Sequence, residues 1–188
     1  MSEIYFNSDS EIQGLSELYN FRTFDSFATE VKKDYDRQIE SYLYLADSSP
    51  KNKTELLKTA KRIFSSIKSK KIKGSSLKIF ANYYIENKDA KNLRRMIELM
   101  KGLIIEISLE NNPPVKLLIT LLSYEAEASL LENAPSSFNL QLTKMKQLSS
   151  MLSDLPDILE VYMKIEDLEE RGNHLFDQDQ LVMQAMKV

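Results

Sequence analysis

Apolar residues recur every three or four positions along most of the chain. Phe27, Val31, Tyr35, Ile39, Tyr42 and Ala46 form one such series, and Leu56, Ala60, Ile63 and Ile67 a second. Leu93, Met96, Ile97, Met100, Ile104 and Ile107 form a third. That spacing lines one face of a helix with 3.6 residues per turn, so each series predicts a helix with one stripe against a core. No stretch longer than a few residues alternates as a half-buried strand would. The pattern predicts an all-α protein.

Helix start and stop signals divide the pattern into segments. Ser8 with Glu11 forms a capping-box pair before a helix over about 9–19. A helix over about 25–47 ends before Ser48-Ser49-Pro50, and Asn52 with Glu55 opens one over about 53–69. Gly74 and Ser75-Ser76 break the chain ahead of a helix over about 75–87. Asn87-Lys88-Asp89 is a polar turn, with Asp89 placed to cap a helix over about 90–110. Asn111-Asn112-Pro113-Pro114 ends that helix, and Pro114 suits the first turn of the next, over about 114–132. Pro135-Ser136-Ser137 precedes a helix over about 138–153, and Asp154-Leu155-Pro156 one over about 157–186, interrupted near Gly172-Asn173. Eight or nine helices joined by short turns force antiparallel neighbours. The expected architecture is a single all-helical domain over 1–188. Its antiparallel hairpins form either a right-handed repeat-like array or an irregular bundle, frayed over the first and last few residues.

Residues 77–100 resemble one unit of the tetratricopeptide type. Leu77, Phe80, Ala81 and Tyr84 hold the large, large, small, aromatic positions of its first helix, and Leu93, Ile97 and Met100 fill the facing helix. Ala81 allows close approach and Tyr84 packs across the hairpin. Lys88 stands where the turn glycine belongs, and Leu93 where a small residue is expected. The stretch is also similar to the bihelical repeats in the N-terminal arms of proteasome-lid and signalosome scaffold subunits. Those families continue into a winged-helix segment, and nothing after Pro156 resembles one. The resemblance implies a scaffold built from helical hairpins.

Composition narrows the chemistry. With 4 glycines and 5 prolines in 188 residues, folds that need many tight turns are disfavoured. The absence of cysteine removes disulfides, thiolate metal sites and cysteine nucleophiles. His174 is the one histidine, so a histidine-pair metal site is excluded. The di-iron Glu-x-x-His pattern fails because Arg171 stands three residues before His174. Glu170, four before, makes an ordinary helix-surface pair with it. There is no phosphate-binding glycine loop and no nucleophile elbow. Asp157 and Glu160 have the chemistry of an acid–base pair but no sign of a pocket. No catalytic residue, cofactor or metal is expected. An uncharacterised hydrolase remains the lesser alternative. The start, Met1 to Phe6, lacks a basic leader, and no apolar run approaches the roughly 20 residues of a membrane span. A cytoplasmic protein is expected, with the nucleus left open and no membrane association.

Charge is strongly segregated. Residues 1–50 hold 4 Lys/Arg against 10 Asp/Glu, residues 51–101 hold 15 against 4, and residues 102–188 hold 6 against 14. A net charge of −3 therefore conceals a middle at +11 between acidic ends. Lys58, Lys61, Arg62 and Lys68 fall on one side of their predicted helix. Lys70, Lys71 and Lys73 occupy the turn that follows, and Arg94 and Arg95 a later helix of the stack. Three readings stay open: a solvated or internally paired face, a docking surface for an acidic protein segment, and a surface for phosphate backbones. Lysine outnumbers arginine, which disfavours base reading. Asp157, Glu160, Glu166, Glu169 and Glu170 mark a second, weaker partner surface, suited to a partner protein or to head-to-tail self-association. Tyr5, Phe6, Tyr19, Phe21, Phe24 and Phe27 crowd an acidic segment, followed by Tyr35, Tyr42 and Tyr44. Core packing or a hydrophobic groove suits them better than base stacking. Leu181, Val182, Met183 and Met186 suit a core cap or an adaptable interface. The expected function is a non-enzymatic intracellular adaptor, scaffold or regulator binding another protein, an acidic one for the basic surface. Nucleic-acid binding through residues 51–101 is the alternative, and homo-oligomerisation is left open.

Overall fold

The computed structural model describes residues 35–108 and 114–185, apart from the side chains of Lys71 and of 178–185. The expected helix over 9–19, the first part of that over 25–47, the aromatics before Tyr35, the Asn111–Pro113 stop and the side chains of the C-terminal apolar cluster lie outside that set. The described residues form seven helices and no strand: α1 Tyr35–Ser48, α2 Lys53–Ser66, α3 Lys70–Glu86, α4 Ala90–Ser108, α5 Val115–Leu131, α6 Pro135–Ser149 and α7 Leu155–Ala185. The fold is all-α, as the spacing predicts. The chain divides into two compact units, Met1–Ile79 and Phe80–Val188, with the boundary inside α3.

In the first unit α1 packs on α2. Ile39, Leu43 and Ala46 of α1 are buried, as are Ala60 and Ile63 of α2 and Ile67 just after it. α3 begins earlier than expected. Ser69 caps it, its Oγ accepting the Ile72 N–H at 3.4 Å, so Gly74 lies inside the helix instead of breaking it. A mid-helix glycine costs about 1 kcal/mol, which neighbouring packing offsets. Ser76 is fully buried, and its hydroxyl donates to Asp36 Oδ1 at 2.6 Å, tying α3 to α1. The Asn52–Glu55 capping box does not form: Asn52 precedes α2 without a side-chain cap bond.

In the second unit α5 packs against α4, α6 and α7, and α6 also packs against α7. Covered by three neighbours, α5 is buried almost continuously from Ser123 to Leu130. Ile119, Ala126 and Leu130 of α5, Phe138, Leu142 and Met145 of α6, and Val161, Ile165 and Leu168 of α7 form one core. α7 runs unbroken through Gly172, against expectation, because Gly172 is where α7 meets the Phe138 ring: a Cβ there would lie 2.4 Å from that ring. Pro114 sits one position before the first turn of α5, at its N-cap.

Two turns share one geometry. After α3, Asp89 N–H donates to the Tyr84 carbonyl at 2.8 Å and Lys88 N–H to Ile85 at 3.0 Å, with Lys88 at φ 53°. After α5, Ala134 N–H donates to Ser129 at 2.9 Å and Asn133 N–H to Leu130 at 3.1 Å, with Asn133 at φ 51°. Both are Schellman caps, which satisfy the last carbonyls of a helix and turn the chain into the next one. Asp89 then caps α4 as expected, its Oδ1 accepting the Asn92 N–H at 3.0 Å. Ala81 before the first turn and Ala126 before the second are both fully buried.

Candidate partner-binding surfaces

Residues 51–79 carry ten Lys/Arg and a single acid, Glu55. On α2, Lys58, Lys61 and Arg62 are exposed on one face, opposite the buried Ala60 and Ile63. Glu55 accepts from Lys58 and from Arg62, each at 3.3 Å. Such exposed pairs are worth about 0–1 kcal/mol and leave the cations open to solvent. Lys68 lies in the extended connection after α2, not on the helix face expected for it, and is exposed. Lys70, Lys71 and Lys73 occupy the first turn of α3 instead of a loop. The Lys71 side chain lies outside the described residues. Among those residues, Lys61, Lys68 and Lys73 pair with no carboxylate. The first turn of α3 holds no acid, so the positive end of its dipole meets like charge.

Arg94 and Arg95 belong to the second unit, and Arg94 is engaged there. Its Nε and Nη2 donate to both carboxylate oxygens of Glu132, at 3.1 and 2.6 Å, and Nη2 also reaches Ser129 Oγ at 3.5 Å. This fork joins the start of α4 to the end of α5. The Glu132 bond raises the Arg94 pKa against the opposing effect of burial, and Arg94 holds the Glu132 carboxyl below its usual range. Arg95 is exposed and donates to Asn92 Oδ1 at 3.4 Å.

The acidic helix is partly neutralised from within. Lys116 Nζ bridges Asp157 and Glu160, 2.6 Å from each, and these two bonds raise the lysine pKa. Lys146 of α6 pairs with Glu169. Glu166 and Glu170 are exposed and, among the described residues, meet no cation. His174 is also exposed on α7.

Among the described residues, the most buried carboxylate is one that sequence reasoning passed over. Glu127 of α5 accepts from Arg171 Nη1 and Nη2 at 2.9 and 2.6 Å and from Lys164 Nζ at 2.8 Å. Asp167 Oδ2 also lies 2.9 Å from Arg171 Nη2. Burial pushes the Glu127 carboxyl up, but the Arg171 and Lys164 bonds outweigh it and its pKa falls below the ordinary value. Nearby Tyr124 is pushed up to about 12, by burial first and by Glu127 second, while its hydroxyl donates to Asn82 at 3.0 Å. The available signal was a lone pair of acids in the apolar run Leu121–Leu131, where a carboxylate needs a partner from another helix. With the Arg171 guanidinium and the Lys164 ammonium both bonded to Glu127, this cluster pins α7 to α5. No set of three acidic or histidine side chains among the described residues could hold a metal ion.

The chain matches no protein-family model, no curated protein and no solved structure.

Proposed function

We propose that this protein is a non-enzymatic intracellular adaptor, scaffold or regulator that binds another protein through a helical surface. The basic face of α2 and the start of α3 form that surface. One observation carries the reading: ten cations stand within residues 51–79 against one acid, and Lys61, Lys68 and Lys73 are left without a carboxylate among the described residues. Like charges gathered on one surface repel, and cations at a helix N-terminus cost a few tenths of a kcal/mol each. An acidic protein segment relieves both and is steered toward such a field. The paired Schellman turns, with a buried alanine before each, support a hairpin scaffold of tetratricopeptide type. A cysteine-free chain with one histidine supports the non-enzymatic and intracellular parts of the reading.

Nucleic-acid binding is the competing reading, because lysines at a helix start also suit phosphates. Titration separates the two. A labelled peptide rich in Glu and aromatic residues should bind, and mixed-sequence DNA should bind more weakly at about 150 mM salt, where screening already weakens phosphate contacts. Tighter and sequence-indifferent binding of DNA would transfer the surface to nucleic acid.

A further inference from the structure

α7 carries two apolar faces, and the core uses one of them. Val161, Ile165 and Leu168 are buried among α5 and α6. Leu155, Leu159, Tyr162 and Met163 point away from that core, with 65%, 55%, 49% and 70% of their surface exposed. Their spacing puts them along one line of the helix. Glu166 and Glu170, seven and eleven positions after Leu159, continue the same line. Single exposed apolar residues need no explanation, but four on one helical face form a patch on the order of 500 Å², the size at which patches are usually functional.

We propose that this face docks a basic amphipathic helix of another protein. Apolar residues of that helix would cover Leu159, Tyr162 and Met163, and its Lys or Arg residues would meet Glu166 and Glu170. Charge complementarity selects this occupant. From Asp154 to Asp177 the helix region holds eight acids against Lys164 and Arg171, a net of −6. Both of those cations are committed to Glu127. Lys116 and Lys146 neutralise acids beside the stripe, and of the four left without a cation among the described residues, Asp154, Glu166, Glu170 and Asp177, Glu166 and Glu170 directly continue it. A second copy fits less well. Pairing the stripe with itself would bring two acidic helices together, and the patch falls short of the roughly 800 Å² per partner of a standard interface. The exposed face of α2 from a second copy offers Lys58, Lys61, Arg62 and Ser65 but no apolar side chain to cover Tyr162 or Met163. An anionic bilayer is repelled by the acids. A helix laid along an apolar line with charged ends is an established recognition mode.

This surface extends the protein-binding reading to the second unit without depending on the basic one, and the test keeps the two apart. The probe is a labelled helical peptide of Leu and Lys, about 16 residues long, with Leu spaced to form a single apolar stripe. One control keeps the composition but scrambles the order, and a second replaces Lys with Glu. The full-length chain should bind the Leu/Lys helix at least tenfold more tightly than either control. The pair Leu159→Gln and Met163→Gln should weaken binding tenfold or more. The pair Glu166→Lys and Glu170→Lys should reverse the preference toward the Leu/Glu helix. Lys61→Glu, Lys68→Glu and Lys73→Glu together should leave it unchanged. Undiminished binding in the Gln pair, or an unreversed preference in the Lys pair, overturns the proposal. So does a dimeric parent that the Gln pair converts to a monomer in sedimentation, which would assign the face to a second copy. All four positions are exposed, and matching melting curves establish that each variant is folded.

Discussion

Glu127 shows how one buried side chain can join two helices. It is 4% exposed on α5 and would be costly there unpaired, yet Arg171 and Lys164 of α7 satisfy it. Because its pKa is depressed in the folded state, its contribution is fully present above the ordinary carboxylate range. It is lost as pH falls through the lower native value. Arg171→Met removes the larger of the two stabilising partners and should cost about 1–3 kcal/mol at neutral pH. The gap in melting temperature between parent and variant should be widest near neutral pH and shrink in acid, where the carboxyl is protonated. A gap that does not change with pH would mean that Arg171 acts through packing alone. The glycines make a second contrast at this scale. A methyl group added at Gly102 would meet nothing within 4 Å, whereas Gly172 faces the Phe138 ring, itself packed edge-on to Phe176 at 5.5 Å. Gly102→Ala should therefore stabilise by about 0.5–1 kcal/mol through helix propensity. Gly172→Val should destabilise by about 1–3 kcal/mol, because the confined ring cannot step aside. Thermal melts of the two variants should move in opposite directions. Neither Glu127's partners nor the crowding at Gly172 can be read from sequence, because both depend on which residue of a distant helix lies opposite.

At the scale of elements, periodicity together with start and stop signals locates all seven described helices, since a stripe of apolar residues at helical spacing has few other ways to be buried. Stops are less legible. Gly74 and Gly172 have the look of breaks, but a glycine inside a helix costs little against the packing of its neighbours, and Ser69 has already begun α3. The turn at Lys88 is legible as polar, though not as a Schellman cap on a residue with φ 53°. That conformation strains a side-chain-bearing residue by about 1–2 kcal/mol, less so for asparagine. Lys88→Gly should stabilise by about 0.5–1 kcal/mol, and Asn133→Gly by less. Ala81 and Ala126 are both fully buried before such turns. Ala81→Trp and Ala126→Trp should each destabilise by about 1–3 kcal/mol or more. A parent-like melt for either would rule out close packing at that alanine.

Over the whole molecule the charge pattern is plain in the sequence, but its fate is not. In the second unit the acids and bases largely answer one another across helices, as in Arg94 with Glu132, Lys101 with Glu125, and Lys116 with Asp157 and Glu160. Sequence groups Arg94 with the basic surface, because a partner 38 residues away leaves no local mark. It also shows the acids of α7 without the apolar line beside them, since both faces of that helix carry apolar residues. On the basic side, internal pairing leaves over the cluster on α2 and the start of α3. The most direct test of its role compares the full-length parent and the variant carrying Lys61→Glu, Lys68→Glu and Lys73→Glu as baits in native-cell extract treated with nuclease. Lys61 and Lys68 are exposed and Lys73 is half-buried, so the first two changes should alter stability by less than about 0.5 kcal/mol each, and circular dichroism checks that the triple variant is folded. The result expected is a partner protein retained by the parent after nuclease treatment, lost as salt is raised, and reduced at least tenfold with the variant. Equal capture of that partner by parent and variant would contradict a docking role for the basic surface.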